Sequence, residues 1–433
     1  MSRDYHVSAA LTAALFLGAC GTEAPYADNV ALGPTLELAA SGAGNPTTAI
    51  DRTTGTALVA WVDTQGGEPN VLLTRISPEG VAETPTRVNH IPGDAAAHFQ
   101  APAQVASGPD GEVYVFWTNN IPLEGRRFPA SDLRFARSGN GGRTFDPTIT
   151  VNDDAGGPPT SHTFHNLLVA PDGTLYASWL DSRNDGAEAT AAAEGIPFSE
   201  GEGIGTVATG GDPYAGPDLR IAISRDRGQT FLPSFVVDRN ACPCCRTAMA
   251  IGPDGELYVG WRKVYEGNIR DVVIARSGDN GKTFGAPVPV HKDGWVFPGC
   301  PHAGPSLDVD SEGSLHVAWY TGKEGSAGLF YARSQTNGDS FSEPEPLATG
   351  AAVAPSLSSM VAEDSGTLWM TWEDRRNGAP ELHTVRTAFD GVGRRMRPEV
   401  IQGSHPSVSS EGGTQVFAWL DRGTVFARVG FAQ

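Results

Sequence analysis

The sequence predicts an all-β fold: a single β-propeller of seven four-stranded blades. Three observations carry this expectation. A Trp recurs seven times at the end of an alternating apolar run, at Trp61, Trp117, Trp179, Trp261, Trp319, Trp372 and Trp419. A tight turn precedes most of these runs, as at Pro109-Asp110-Gly111, Pro171-Asp172-Gly173 and Pro253-Asp254-Gly255. A second short run, usually holding an Arg, follows each Trp, as in Val272 to Arg276 and Leu329 to Arg333. Alternation marks strands, and a unit repeated at this spacing marks a propeller or a related array. Composition agrees. The 433 residues include 53 Gly and 32 Pro, and no stretch sustains a 3.6-residue apolar period, so little helix is expected.

The elements follow in chain order. Arg3 sits in a short polar head, and an apolar run extends from Ala9 to Ala19, too short to span a bilayer as a stable helix. It ends at Leu17-Gly18-Ala19-Cys20, which resembles the bacterial lipobox. The resemblance implies a lipoprotein: residues 1–19 a signal peptide, Cys20 the acylated first residue of the mature chain. An ordinary signal peptide with an incidental Cys is the alternative. Residues 20–34 then form the lipidated Cys and a flexible tether rich in small residues, and residues 35–433 form the propeller.

Each repeat reads as strand A, tight turn, strand B ending in Trp, loop, strand C, turn, strand D, which is one propeller blade. The last unit, from His405 onward, runs out of chain before its D strand. Thr35-Leu36-Glu37-Leu38 lies ahead of the first A strand and supplies the missing strand. Closure of the ring in this way removes an open sheet edge.

The C-to-D turns carry a motif. Ser277-Gly278-Asp279-Asn280-Gly281-Lys282-Thr283-Phe284 and Ser224 to Phe231 both fit Ser-x-Asp-x-Gly-x-Thr-Phe. Ser138 to Phe145 has Asn140 in place of the Asp, and Ser334 to Phe341 has Thr336. The Asp accepts backbone N–H groups of a tight turn and the Gly takes positive φ. On these four motifs the chain, over roughly residues 35–433, resembles the sialidase-like Asp-box (BNR repeat) superfamily. The resemblance implies a propeller, with the six-bladed sialidase-type ring as the alternative to seven blades. It does not imply sialidase chemistry, because the boxes are structural and sit on the face away from the usual site.

The D-to-A and B-to-C loops share one face of a propeller, and that face collects the unusual residues. The D-to-A loops hold His98, His162, His165, Cys242, Cys244, Cys245, Arg246, His291, Trp295, Cys300, His302 and His405. The B-to-C loops hold Asp63, Asp181, Arg183, Arg262, Lys263, Tyr265, Tyr320, Asp374, Arg375, Arg376 and Asp421. The loop at 182–217 is long and Gly/Ala-rich, as a flap over the mouth would be.

Four cysteines remain once Cys20 is assigned to lipid. Cys242, Cys244, Cys245 and Cys300 precede the A strands of adjacent units, so they converge near the axis. Two disulfides suit an even count in an oxidising compartment. A thiolate site for copper or zinc is the alternative, with His302 and one of His162 and His165 as imidazole ligands. A mixed state combines one disulfide with a vicinal pair left free to act as a redox or soft-metal site.

By resemblance, a catalytic sialidase would need three arginines clasping a carboxylate, one of them in an Arg-Ile-Pro motif, together with a Tyr/Glu nucleophile pair and an Asp acid/base. Arg-Ile-Pro is absent. Arg183, Arg246, Arg262 and Arg375 are candidates for ligand binding, with Trp295 lining the site. Tyr265, Glu266, Asp181, Asp374 and Arg246 are the catalytic candidates. The Asp residues that follow a repeat Trp by two positions read first as caps of the B-to-C turn. Taken together, these residues describe an extracytoplasmic propeller on a membrane lipid anchor, facing periplasm or exterior. It binds an anionic, glycan or soft-metal ligand at a Cys/His/Arg-lined mouth, or is an exo-acting glycoside hydrolase. A glycan or a protein is the partner expected. The formal charge of −19 excludes nucleic acid, whose phosphates it would repel.

Overall fold

The computed structural model describes residues 32–39, 41–125, 128–184, 216–350, 353–363, 367–388 and 399–431. The segment read as a signal peptide, Cys20, most of the expected tether and residues 185–215 of the long loop lie outside the described residues. Seven four-stranded antiparallel sheets form the ring, blades 1 to 7 opening with the A strands Thr47–Ile50, Gln104–Ser107, His162–Val169, Ala248–Ile251, Ser306–Val309, Val353–Glu363 and Ser404–Glu411. In blade 1 the strands A to D are Thr47–Ile50, Ala57–Asp63, Asn70–Ile76 and Thr86–Arg87. Blade 4 has Ala248–Ile251, Leu257–Tyr265, Ile269–Ser277 and Val288–Pro289. Its B–C hairpin is the longest of the blade 1 to 5 hairpins, pairing Leu257 with Ser277 through to Tyr265 with Ile269.

The B strands read as almost unbroken apolar runs because each lies between two neighbouring blades. Val113–Thr118 and Leu175–Asp181 are buried at every position. The repeat Trp residues are all buried, and each belongs to a cluster shared with the preceding blade. Trp117 of blade 2 packs with Leu58, Ala60 and Leu73 of blade 1. Trp261 of blade 4 packs with Tyr176 and Leu219 of blade 3. Trp61 of blade 1 packs with Val416, Ala418 and Val425 of blade 7, which closes the circle.

Seven blades, rather than six, are therefore observed, and the N-terminal strand completes the last one. Leu36–Ala39 pairs antiparallel with Thr424–Phe431, Leu36 opposite Ala427. Gly33 N donates to Val429 O at 2.8 Å. The first described residues thus hold the D position of a sheet whose A to C strands are the last ones in the chain.

The four boxes are built alike. The hydroxyl at the first position accepts from the Gly N–H four residues on, at 2.9 Å in Ser138/Gly142, Ser224/Gly228, Ser277/Gly281 and Ser334/Gly338. Asp279 accepts from Thr283 N at 2.9 Å, which with the Thr283 hydroxyl holds its carboxyl far below the usual range. Thr336, in the degenerate box, accepts from Ser340 N at 3.0 Å and does the same job. The box Gly at 281 has φ +76° and abuts Tyr176 of the preceding blade, where a Cβ would stand at 2.7 Å. The boxes therefore fix both the turn and the spacing of neighbouring blades.

Candidate functional site

The residues just before the inner A strands meet across the axis. Blades 2 and 5 are not neighbours, yet the rings of Phe99 and His302 stand 5.5 Å apart. His98 meets Phe164 of blade 3 edge-on at 5.4 Å. His405 of blade 7 lies within electrostatic reach of Arg246 in blade 4 and Arg375 in blade 6. Phe164, His302 and His405 share a left-handed backbone, with φ 53°, 51° and 55°. In blades 3 and 7 this residue is the irregular one in the A–B pairing, between Thr163 and Asn166 and between Ser404 and Ser407. A bulge of this kind re-aims a side chain, and a bulky residue at positive φ stores strain of a sort that clusters at functional sites.

The mouth is aromatic and cationic. Phe99 is 45 % exposed, and its carbonyl accepts from the Asn45 amide. A cavity of about 130 Å³ opens beside it, lined by Asn45, Val62, His98, Phe99 and Leu420. His98 touches solvent but is surrounded by protein, which lowers its imidazole to about 4, with His302 adding to the effect. Burial lowers His165 to about 4 and His405 to about 3. It lowers Arg246 only to about 10. At neutral pH the imidazoles are therefore neutral and Arg246 is charged. Glu373, wholly buried beneath the mouth, accepts from His405 N at 3.4 Å and from Arg375. Its carboxyl is raised by burial.

The four sulfurs gather beside this mouth as one disulfide and two thiols, but the free thiols are Cys244 and Cys300 rather than a vicinal pair, because Cys245 is taken by the disulfide. Cys242 and Cys245 form a disulfide, with Cα atoms 5.5 Å apart. Cys244 Sγ lies 3.8 Å from Cys242 Sγ. Cys300 comes in from blade 5 and hydrogen-bonds Cys244; that bond, helped by the Arg270 charge, lowers the Cys300 thiol to about 7. Burial pushes Cys244 the other way. The imidazole of His302 is tied to the Cys244 backbone, and its Nδ1 is buried without a hydrogen-bond partner among the described residues.

Several other candidates have structural work. Arg262 is fully buried, with Nε on Ala303 O at 2.8 Å, Nη1 on Arg270 O at 2.7 Å and Nη2 on Tyr320 O. Trp295 is 7 % exposed; it stacks on Phe297 at 5.1 Å and lies under Arg262 at 5.1 Å. A Cβ at Gly322 would stand 2.5 Å from its ring. Both were expected to meet ligand; both instead wedge blades 4 and 5 together, because Gly322 leaves room for an indole and the guanidinium satisfies loose carbonyls. Tyr265 is half-buried at the tip of the long blade 4 hairpin, and the exposed Glu266 begins the turn beyond it.

Asp181 and Asp374 cap their turns and hold the arginine two residues on. Arg183 N donates to Asp181 at 3.0 Å and Arg376 N to Asp374 at 2.9 Å. Asp181 also accepts from Trp179 Nε1 at 2.8 Å and from Arg183 Nη2 at 2.8 Å. His162 sits with this group, away from the cysteines. Its Nδ1 donates to Ser131 O at 2.6 Å, and its Nε2 faces Asp154 at 3.1 Å and Asp181 at 3.6 Å. These three side chains could hold a cation, but the Arg183 guanidinium already lies against both carboxylates. His165, whose Nε2 meets Phe116 O at 3.1 Å, is likewise not with the sulfurs.

Three residues of the site were not singled out in the sequence: Phe99, Glu373 and Arg270. Phe99 follows His98 in a D-to-A loop, so its place was readable. Arg270 opens a C strand and Glu373 precedes a capping Asp, and nothing in the repeat marks either. The opposite face holds a larger cavity, about 310 Å³, between the boxes of blades 4 and 5, lined by Arg276, Asn337 and Asp339 among others.

No protein-family model matches the chain, and no curated protein matches it. Solved structures share the fold. A protein of unknown function from Dyadobacter fermentans aligns with TM-score 0.52 at 13 % identity, over 94 % of this chain and 100 % of that one. A Hadza microbial sialidase gives 0.51 at 14 %, over 87 % and 73 %. An ulvan lyase, solved with a unit of glucuronic acid and sulfated rhamnose bound, gives 0.54 at 12 %, over 91 % and 95 %. At these identities the likeness establishes the fold alone, a β-propeller.

Proposed function

We propose that the chain is a lipid-anchored, extracytoplasmic propeller that binds an anionic saccharide at its mouth. One observation carries the reading: an exposed aromatic ring, Phe99, packs against His98 and His302 where the blades converge, and the same face carries the Arg246 and Arg375 charges within electrostatic reach of His405. An aromatic face packs against the apolar face of a sugar ring. A guanidinium pairs with a carboxylate or sulfate through two parallel hydrogen bonds. The local cations also stand out in a chain of net charge −19, so they select for anions locally rather than by overall field. Some of the fold neighbours act on sugars, which makes saccharides the class to test first. Binding of a panel of carboxylated, sulfated and neutral oligosaccharides tests it. The acidic members bind, the neutral ones do not, and Phe99→Ala weakens binding by roughly tenfold. Preference for neutral sugars, or indifference to Phe99→Ala, removes the reading.

Glu373 favours a second reading, an exo-acting glycoside hydrolase, because a carboxyl raised by burial suits a general acid. The other carboxylate candidates, Asp181 and Asp374, are each paired with an arginine of their own turn, as Glu373 is with Arg375. Turnover of a fluorogenic sialoside and uronide panel, lost in Glu373→Gln, establishes this second reading; inert wild-type protein removes it. The anchor rests on Leu17-Gly18-Ala19-Cys20. Cys20→Ser should release the protein from membranes, and a variant that still needs detergent contradicts lipidation at that residue.

A further inference from the structure

We infer that Cys242, Cys244 and Cys245, when reduced, form a trithiolate site for copper(I), and that the Cys242–Cys245 disulfide is its closed state. The three Sγ atoms already lie within 4.8 Å of one another. Cys242 and Cys244 are 3.8 Å apart. Thiolates placed around one ion at about 2.3 Å stand about 4 Å from each other, the spacing Cys242 and Cys244 already have, and Cys245 moves off Cys242 once their bond is broken. The spacing is imposed by backbone: Cys242 N donates to Arg262 O at 2.8 Å and Cys245 N to Cys242 O at 3.2 Å, a turn that throws the sulfurs of a Cys-Pro-Cys-Cys run to one side.

The surroundings choose the ion. The three cysteines are 0, 5 and 1 % exposed and pack with Phe164, Trp261 and Val264. No imidazole or carboxylate joins them within that reach among the described residues. Three soft donors in a dry apolar shell suit copper(I), which accepts three ligands, better than zinc, which takes four, or any hard cation. Arg270 supplies compensating charge: its Nη1 donates to Cys242 Sγ at 3.2 Å, and its Nε is fixed on Phe297 O at 2.7 Å. Cys300 is the half-buried sulfur, hydrogen-bonded to Cys244.

The site opens by thiol–disulfide exchange. A dithiol reductant gives two electrons and two protons to the Cys242–Cys245 bond, leaves as a disulfide, and frees two thiols. Copper(I) then displaces the protons of the thiols it binds. This site is independent of the saccharide reading, which uses Phe99 and the arginines of the mouth.

The test uses the full chain, reduced with a phosphine without oxygen or left oxidised, and titrated with copper(I) held by bicinchoninate. The reduced protein is expected to take one copper(I), with thiolate-to-copper absorption in the near ultraviolet. It should bind roughly a hundredfold more tightly than the oxidised protein. Cys244→Ser lowers the reduced affinity by a similar factor, whereas Cys300→Ser changes it by less than about threefold. Equal binding by both redox forms overturns the inference, as does uptake of zinc in preference to copper(I) by all four sulfurs, or failure of reduced wild type to bind. Should Cys244→Ser not fold, the comparison of reduced with oxidised wild type decides alone.

Discussion

The two faces of this ring obey opposite rules. On the box face, the same Ser-to-Gly bond recurs at 2.9 Å in four consecutive blades, even where Thr336 replaces the Asp. On the mouth face the side chains differ from junction to junction, even where the backbone is shared: blade 2 offers His98 and Phe99, blade 4 a cysteine run with Arg246, blade 5 Cys300 and His302, blade 7 His405. A feature repeated from blade to blade answers a demand those blades share, which is turn closure and packing. A feature present once answers something outside the repeat. The difference separates stability from function by location, and each prediction below tries that separation.

Removal of residues 32–39 should have the largest effect. It strips the D strand from blade 7 and the contacts of Leu36 and Leu38 with the cluster around Trp61, leaving a bare sheet edge. Calorimetry should show loss of the cooperative transition or a drop of well over ten degrees, by the usual scaling of several kcal/mol. A variant that melts like wild type would place closure elsewhere. Gly281→Ala comes next. Its φ of +76° and the 2.7 Å approach to Tyr176 should cost about 2–3 kcal/mol in denaturant unfolding, with saccharide binding unchanged in the protein that remains folded.

The third prediction reverses the direction and asks what the mouth does to stability. His405 and His165 have folded pKa values of about 3 and about 4, pushed down by burial from 6.5. A depressed imidazole contributes stability that is present above the unfolded value and is lost as pH falls toward the folded one. Between pH 6.5 and pH 5 each should therefore remove up to about 2 kcal/mol. The loss over that interval should shrink in His405→Gln. An unchanged slope would mean that His405 is not held neutral. Asp308, raised by burial to about 6, acts oppositely: its contribution is full below 3.8 and is lost as pH rises through 6. The smallest effect belongs to Ser277→Ala, which removes one hydroxyl acceptor from one box and should cost about 1 kcal/mol.

The box face was legible because its chemistry is local. Ser277 to Phe284 contains both ends of the side-chain bonds that close its turn, so the turn is readable from spacing, and the recurring Trp gives the count of seven. The same holds for the closing strand, whose absence from one end and surplus at the other are visible in a linear sequence. The mouth was legible only as a list of loops. That His98, Phe99, Cys300 and Arg246 lie near the axis follows from strand order. That Arg262 is spent on the carbonyls of Ala303, Arg270 and Tyr320 does not, because those acceptors come from two other stretches of chain. Trp295 was misplaced for a similar reason: the space that receives it is made by Gly322, in the next blade's B-to-C loop. Arg270 on Cys242 and Glu373 under His405 are likewise long-range pairs.

The central claim is that ligand is bound at the mouth and not in the larger cavity of the box face. Arg246 belongs to the first and Arg276 to the second. The measurement is the affinity of a sulfated or carboxylated oligosaccharide for Arg246→Gln and for Arg276→Gln, each compared with wild type by titration calorimetry. The expected result is a loss of roughly tenfold or more for Arg246→Gln and a change within about twofold for Arg276→Gln. A loss confined to Arg276→Gln, or the same loss in both, would contradict the assignment of function to the face where the repeat breaks.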